Sequence, residues 1–179
     1  MTLAWTRAVL DFWFGQPPAR WWDGGADFDE EIRTRFLDLW QAERQRQVID
    51  FLYEEEDALA AVILFDQFPR NMFRGHADQF STDHIALAVA KNAIELDYDH
   101  DMTGDQRGFL YMPFQHSEDP KDQLQSLLLF TALGDEEQLG YARKHHDVIE
   151  RFGRFPHRNA ILGRKPTAME RAAGDVFPW

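Results

Sequence analysis

Apolar side chains recur along this chain at the spacing of α-helices. Near the start, Trp5, Ala8, Val9, Phe12 and Trp13 follow the i, i+3, i+4, i+7, i+8 pattern of a helix that buries one face. Strict alternation of apolar and polar residues, which would indicate half-buried strands, is nearly absent from the sequence. The pattern therefore predicts an all-α fold.

Capping and breaking residues divide this pattern into about eight helices. The second is predicted to begin at Asp27 with Glu30 as its capping-box partner, and the third to run to about Asp66. The third is expected to stop before Pro69, because the residue that precedes a proline avoids α geometry. The fourth helix is predicted to be capped by Ser81 or Thr82, and the fifth to be capped by Thr103 with Gln106 and to end at Pro113. The sixth is predicted to begin at Asp119 and Pro120 and to end at Gly134, and the seventh to be capped by Asp135 with Gln138 and to end at Gly153. A capping box from Thr167 to Glu170 predicts the last helix.

The connections between these helices are short, which favours antiparallel neighbours stacked as αα-hairpins. No linker or low-complexity tract divides the chain. We therefore expect one helical domain spanning residues 1–179.

The charge balance narrows the classes of partner. The 179 residues carry 19 Lys and Arg against 31 Asp and Glu, a net charge of −12, and this acidic protein lacks the basic surface that binding to nucleic acid or anionic membrane requires. The longest apolar run is the eight residues of 58–65, far short of the roughly 20 of a membrane span. The absence of cysteine excludes thiol chemistry and disulfides and fits a reducing compartment, so we expect a cytoplasmic protein.

Two ionisable residues fall on apolar helix faces. Asp66 lies in the stripe of the predicted third helix, and His145 lies in the middle of the apolar face of the seventh, with His146 at its edge. A carboxylate removed from water costs several kcal/mol unless it is paired, so Asp66 predicts a buried partner. Both residues fit either a structural polar network or a functional site.

A local charge inversion follows the seventh helix. Residues 151–169 carry a charge of +5 and no acid, from Arg151, Arg154, Arg158, Arg164 and Lys165. The planar guanidinium group suits carboxylates and phosphates. The segment predicts either an anion site or a clasp that binds the chain's own acidic helices.

The turn before the sixth helix combines His116, Ser117 and Glu118 at a helix N-terminus, where backbone N–H groups favour anions. Asp119 is expected to cap that helix, and Ser117 is the one credible serine nucleophile. The chain has no Gly-x-Gly fingerprint, P-loop, His-Glu-x-x-His, EF-hand or Gly-x-Ser-x-Gly motif. We therefore expect no cofactor and no metal.

Three long segments resemble the bacterial family of uncharacterised proteins catalogued as domain of unknown function 924. They are residues 64–71 (LFDQFPRN), residues 109–119 (FLYMPFQHSED) and residues 151–164 (RFGRFPHRNAILGR), and the opening residues 9–15 (VLDFWFG) also resemble that family's start. The family usually has a Trp and a Pro within the stretch where this chain has residues 47–57. The resemblance implies a tetratricopeptide-like helical fold and implies no known activity, substrate or cofactor.

Three hypotheses for function follow, and the sequence leaves open whether the protein is an enzyme. The first is a binding module that holds a small anionic molecule or a protein or peptide carboxylate; its ligand-binding candidates are Arg70, Asn71, Arg154, His157, Arg158 and Asn159. The second is a hydrolase or lyase; its catalytic candidates are His116, Glu118, His145 and Asp66. The third is a structural polar network that fixes the fold. The oligomeric state stays open.

Overall fold

The computed structural model describes residues 2–179, and all of the regular structure in that range is helical, which confirms the all-α prediction. The α-helices are α1 (Thr6–Phe14), α2 (Pro18–Trp22), α3 (Gly25–Glu43), α4 (Glu55–Val62), α5 (Phe68–Met72), α6 (Asp83–Glu95), α7 (Gly104–His116), α8 (Pro120–Leu133), α9 (Glu136–Phe152) and α10 (Ala168–Ala173). A π-helical segment, Ile63–Gln67, connects α4 to α5, and short 3₁₀ turns lie at Val48–Phe51, Ala77–Phe80 and Pro156–Arg158. None of these helices is long and apolar enough to cross a membrane.

The chain groups into two compact units. The first unit extends to Leu110 and the second comprises Tyr111–Trp179, so that α7 contributes to both. One domain over residues 1–179 stays a prediction, as does the tetratricopeptide-like arrangement of the helices.

Aromatic rings fill the core of the first unit. The indole of Trp13 lies 6.1 Å from the ring of Phe28, 5.8 Å from that of Phe68 and 5.4 Å from that of Phe109, measured between centroids. The Trp13–Phe28 pair is stacked and the other two are edge-on, and pairs of both kinds at these distances add to the free energy gained by burying the rings. The rings thereby join α1, α3, α5 and the start of α7, although Ala8, expected on the buried face of α1, is exposed.

The predicted start of the second helix was wrong. A short helix that the pattern missed, α2, precedes it, and α3 begins at Gly25 without a side-chain cap, so Asp27 and Glu30 form no capping box. Asp27 lies inside the first turn of α3, where its carboxylate faces the positive end of the helix dipole. The apolar stripe of α3 is buried as its spacing indicates, at Phe28, Ile32, Phe36 and Trp40.

The prediction that the third helix stops before Pro69 was wrong. The helix continues through this proline to Met72. Pro69 has no N–H to donate to the carbonyl of Phe65, four residues earlier. That carbonyl instead accepts a hydrogen bond of 2.7 Å from the Thr82 hydroxyl, which in turn accepts one of 3.1 Å from the indole of Trp40. The wider π turn and this side-chain donor together let the helix pass the proline.

Pro113 does not end α7 either, since the helix continues to His116. The Thr103–Gln106 capping box at its start is confirmed. At its end, the amide of Gln123 donates to the carbonyls of Gln115 and Ser117, at 2.8 and 2.7 Å. These bonds satisfy carbonyls that a helix end leaves without partners, and they stabilise α7 beyond its proline.

In the second unit, α8 and α9 pack against each other, and their ends follow the predicted caps. Asp119 and Asp135 accept hydrogen bonds from the first turns of α8 and α9, and Gly134 and Gly153 end these helices in the left-handed conformation. The capping box from Thr167 to Glu170 is also present.

We expect Thr82→Val to lower the free energy of unfolding by about 1–3 kcal/mol, because the buried carbonyl of Phe65 loses its donor without a change in side-chain size. Urea denaturation measures this loss. Thr34→Val on the exposed face of α3 is the matched control and should change stability by less than about 0.5 kcal/mol. Equal effects of the two substitutions would contradict this account of Pro69.

Candidate functional site

Two histidines and an arginine pack on one buried phenylalanine in the second unit, and a third histidine lies beside one of the two. The rings of His116 and His145 are 6.2 Å apart between centroids, and the ring of Phe155 lies 5.5 Å from His145 and 5.7 Å from His157. The guanidinium carbon of Arg158 lies 4.5 Å above the Phe155 ring. We call His116, His145, His157 and Arg158 the imidazole cluster.

The carboxylate of Glu118 holds the two turns that carry this cluster. It accepts a hydrogen bond of 2.7 Å from the backbone N–H of Phe155 and two bonds, of 2.7 and 3.0 Å, from the guanidinium of Arg164. Burial alone would raise the pKa of Glu118, but Arg164 and the Phe155 N–H outweigh it and hold the pKa below its ordinary value. Glu118 is therefore a carboxylate at neutral pH and binds the turn after α9 to the turn before α8.

Arg158 also bonds to the end of α7, next to this turn. Its guanidinium donates a hydrogen bond of 3.0 Å to the backbone carbonyl of His116. The contact brings the positive charge of Arg158 beside His116, so the segment after α9 and the end of α7 meet at the cluster.

Ser117 and Asp122 fix the conformation of the turn itself. The Ser117 hydroxyl donates to the buried carboxylate of Asp122 at 2.7 Å and accepts from the backbone N–H of Asp119 at 3.1 Å. The hydroxyl of Ser117, the candidate nucleophile, therefore bonds both Asp122 and the backbone of Asp119, and these bonds fix the turn.

His145 is buried and uncharged at neutral pH. Its Nδ1 bonds the backbone carbonyl of Tyr141 at 2.8 Å, and because a carbonyl only accepts, Nδ1 carries the proton and Nε2 carries the lone pair. Burial is the larger cause and the positive potential of His116 the second, and together they lower the pKa of His145 to about 3. The prediction that His145 lies inside an apolar helix face is confirmed.

His157 has a buried ring nitrogen with no hydrogen-bond partner, Nδ1. Burial and the neighbouring charge of Arg158 lower the pKa of this imidazole to about 4. The rings of Phe177 and Trp179 lie beside it, at 6.1 and 5.0 Å between centroids. An unsatisfied buried nitrogen costs free energy, so a ligand that bonds it would gain that energy back.

Arg154 and Arg164 act as the clasp that the basic segment suggested. Arg154 forms two hydrogen bonds of 2.7 Å with Glu170 at the start of α10, and this bonding lowers the pKa of Glu170. Arg164 binds Glu118 and also donates to the side-chain oxygen of Asn159 at 3.0 Å. For these two arginines the carboxylate partners belong to the chain itself.

Asp66, Arg70 and Asn71 belong to the first unit. Asp66 is fully buried and lies 3.2 Å from the guanidinium of Arg70, which confirms the predicted buried partner. Arg70 also binds Asp83, with bonds of 2.8 and 3.0 Å, and these carboxylates outweigh the effect of burial and raise the pKa of Arg70. Asn71 donates to Asp29 at 2.8 Å.

The chemistry of the imidazole cluster suits an anion rather than a cation. Arg158 supplies a fixed positive charge, and the nearby carboxylate of Glu118 already binds Arg164. On α9, His146, Asp147 and Glu150 bring three potential metal-ligand atoms within 4.8 Å of one another, but two of these residues are exposed. Exposed groups of this kind are common in proteins without a metal.

Two open grooves lie along α1 in the first unit. The larger measures about 530 Å³ and is lined by Asp11, Gln16, Arg35 and apolar neighbours, and the second shares Asp11 and Gly15 with it. No predicted site residue lines either groove.

A model of a family of bacterial proteins of unknown function, DUF924, matches residues 9–173. The chain belongs to this family. It is also similar to the solved structure of a protein of unknown function from Agrobacterium tumefaciens, with 41% identity, a TM-score of 0.89 and coverage of 95% of this chain and 96% of that one. The comparison with curated proteins gives no match. The resemblance inferred from the sequence is confirmed, and it brings no activity with it.

Several residues that shape the site were missed by sequence reasoning. Asp122 and Gln123 lie on α8, where polar side chains usually face solvent, yet both are buried and hold the turn before them. Phe155 lies at the centre of the imidazole cluster, but a phenylalanine next to a proline gives no sign of that position. No local signal distinguishes these residues.

Stability should fall as the pH drops below 7, because unfolded His145 takes up a proton near pH 6.5 whereas folded His145 does so only near pH 3. The unfolded chain binds more protons in this interval. Between pH 7 and pH 5 we expect the wild type to lose about 2 kcal/mol more than His145→Asn, whose amide can still donate to Tyr141. Urea denaturation across pH measures the difference.

His100→Asn, at an exposed histidine, is the control for the exchange of His for Asn and should change the free energy of unfolding at pH 7 by less than about 0.5 kcal/mol. If His145→Asn keeps the full pH dependence of the wild type, His145 is not held uncharged by its surroundings.

Proposed function

We propose that the second unit binds a small ligand through a carboxylate or phosphate group at the imidazole cluster. The observation that carries this proposal is His157 Nδ1, which is buried without a hydrogen-bond partner and belongs to the residue adjacent to Arg158. An oxyanion offers that nitrogen an acceptor and offers the guanidinium a charge-assisted bond.

The charge state of the imidazole cluster supports the binding of an anion. His145 and His157 are both uncharged at neutral pH, in part because positive charges lie near them. A bound anion favours the protonated form of a neighbouring imidazole. Binding should therefore be accompanied by proton uptake and should strengthen as the pH falls towards 6.

Of the six ligand-binding candidates predicted from the sequence, two are assigned to the ligand, His157 and Arg158. Arg70, Asn71 and Arg154 bind carboxylates of this chain, and Asn159 accepts from Arg164. We propose that Arg70 and Asn71 hold segments of the first unit together and that Arg154 and Asn159 hold segments of the second unit together. His157 and Arg158 are then the residues that contact the ligand.

Acid–base catalysis is a second candidate function, and the tautomer of His145 favours it. With Nδ1–H bound to Tyr141, the lone pair of Nε2 is available to accept a proton. A base with a pKa near 3 is weak at neutral pH, so a hydrolase or lyase reaction requires the bound anion to raise that pKa first. Binding therefore comes before catalysis in this proposal.

We also propose a cytoplasmic location, which the absence of cysteine supports, and no nucleic-acid or membrane partner, which the net charge of −12 supports.

Isothermal titration with inorganic phosphate and with acetate tests the proposed site. We expect at least one of them to bind the wild type, with proton uptake detected from the dependence of the heat on buffer. Arg158→Gln should abolish binding, and Arg158→Lys should retain part of it, because lysine keeps the charge but loses the planar fork.

Arg143→Gln, which removes an exposed arginine of α9, is the matched control and should leave binding unchanged. A thermal melt of each variant checks that it folds. Equal binding by the wild type and Arg158→Gln, or no binding by a folded wild type at high concentrations of either anion, would contradict the proposal.

A further inference from the structure

Helix α8 presents leucines to solvent and buries three polar side chains together with Phe130. Leu124 and Leu128 are 55% and 65% exposed, whereas Asp122, Gln123 and Ser126 are buried. The apolar stripe of a helix normally faces the core, so this orientation is the reverse of what the positions of its leucines indicate.

The buried polar side has a specific role, which fixes the orientation of the helix. Gln123 binds the carbonyls at the end of α7, and Asp122 binds the hydroxyl of Ser117. Rotating α8 to bury its leucines would break these bonds and leave buried polar groups without partners. The exposed leucines are therefore a stable feature of the folded unit.

The exposed face of α8 carries one charge, from Lys121, and no acid. At 100° per residue, Leu124, Leu127, Leu128, Thr131 and Ala132 fall on the same side as Lys121, and the one acid of the helix, Asp122, points inward. In a chain with a net charge of −12, this face can approach a second acidic molecule without repulsion between carboxylates on α8.

We propose that α8 is the contact helix of a homodimer in which two copies pack antiparallel about a two-fold axis at Leu128. A two-fold axis at that position places Leu128 against Leu128 of the partner subunit and Leu124 against the partner's Ala132. The interface is self-complementary, as two-fold symmetry requires. This inference is independent of the proposed anion site.

Charge complementarity selects the antiparallel arrangement. Three acids, Asp135, Glu136 and Glu137, follow the end of α8 and are exposed. At its start the capping Asp119 and Lys121 are both exposed, but at 100° per residue only Lys121 falls on the side of Leu124 and Leu128. Asp135 lies fourteen positions after Lys121, and the part of α8 between them, which ends at Leu133, is about 18 Å long. An antiparallel pair brings Lys121 of each copy to the acidic end of the other, at both ends of the contact, whereas a parallel pair would bring like charges together.

The size of the face sets the strength of the association. A contact along about four helical turns buries less than the roughly 800 Å² per partner of a standard interface. We therefore expect a dimer with a micromolar or weaker dissociation constant, which forms as the protein concentration rises.

Sedimentation velocity from about 5 to about 500 µM, the range in which an interface of this size associates, tests the proposal. The wild type should shift from monomer to dimer. Leu128→Glu places two carboxylates at the two-fold axis and should keep the protein monomeric throughout. Leu162→Glu, at a leucine that is 38% exposed outside α8, is the matched control and should dimerise like the wild type.

A charge exchange tests the antiparallel arrangement. Lys121→Glu should weaken the dimer at least tenfold, and adding Glu136→Lys in the same chain should restore it. A wild type that stays monomeric at every concentration, or a dimer that tolerates Leu128→Glu, would overturn the proposal. A dimer that Lys121→Glu does not weaken would overturn the antiparallel arrangement.

Discussion

The second unit depends on the hydrogen bonds that the carboxylate of Glu118 accepts. It joins the N–H of Phe155 to the guanidinium of Arg164, so one side chain ties the turn before α8 to the segment after α9. The pair is half-buried, and removing the carboxylate would take the acceptor from the Phe155 N–H and from the guanidinium of Arg164 together. This link holds together the two turns that carry the imidazole cluster, in which His145, His157 and Arg158 pack on Phe155 and His116 lies beside His145.

Polar groups decide the packing of this protein as much as apolar ones do. In the first unit, Thr82 supplies the hydrogen bond that Pro69 cannot make, and Arg70 neutralises the buried Asp66. In the second, Gln123 and Asp122 turn the polar side of α8 inward. In each case a buried polar group gains a partner, because leaving it unsatisfied would cost about 1–3 kcal/mol. On α8 this requirement leaves Leu124 and Leu128 exposed.

The features that were predictable from the sequence are local ones. Asp119, Asp135, Gly134 and Gly153 end or begin helices as expected, because caps act on the backbone within a few residues. The helices that pass through Pro69 and Pro113 were not predictable, because their stability comes from side chains distant in sequence. For the same reason the burial of Asp66 and His145 could be predicted from helix periodicity, whereas the partners of Glu118 and the role of Phe155 could not.

The most direct test of the central claim, that the imidazole cluster holds uncharged histidines for an anion, is an NMR titration of the imidazole rings with and without inorganic phosphate. We expect His145 in the phosphate-free protein to be the Nδ1–H tautomer and uncharged at pH 5. Phosphate should raise the pKa values of both His145 and His157. If His145 and His157 titrate near pH 6.5 in the free protein and do not respond to phosphate, the account is contradicted.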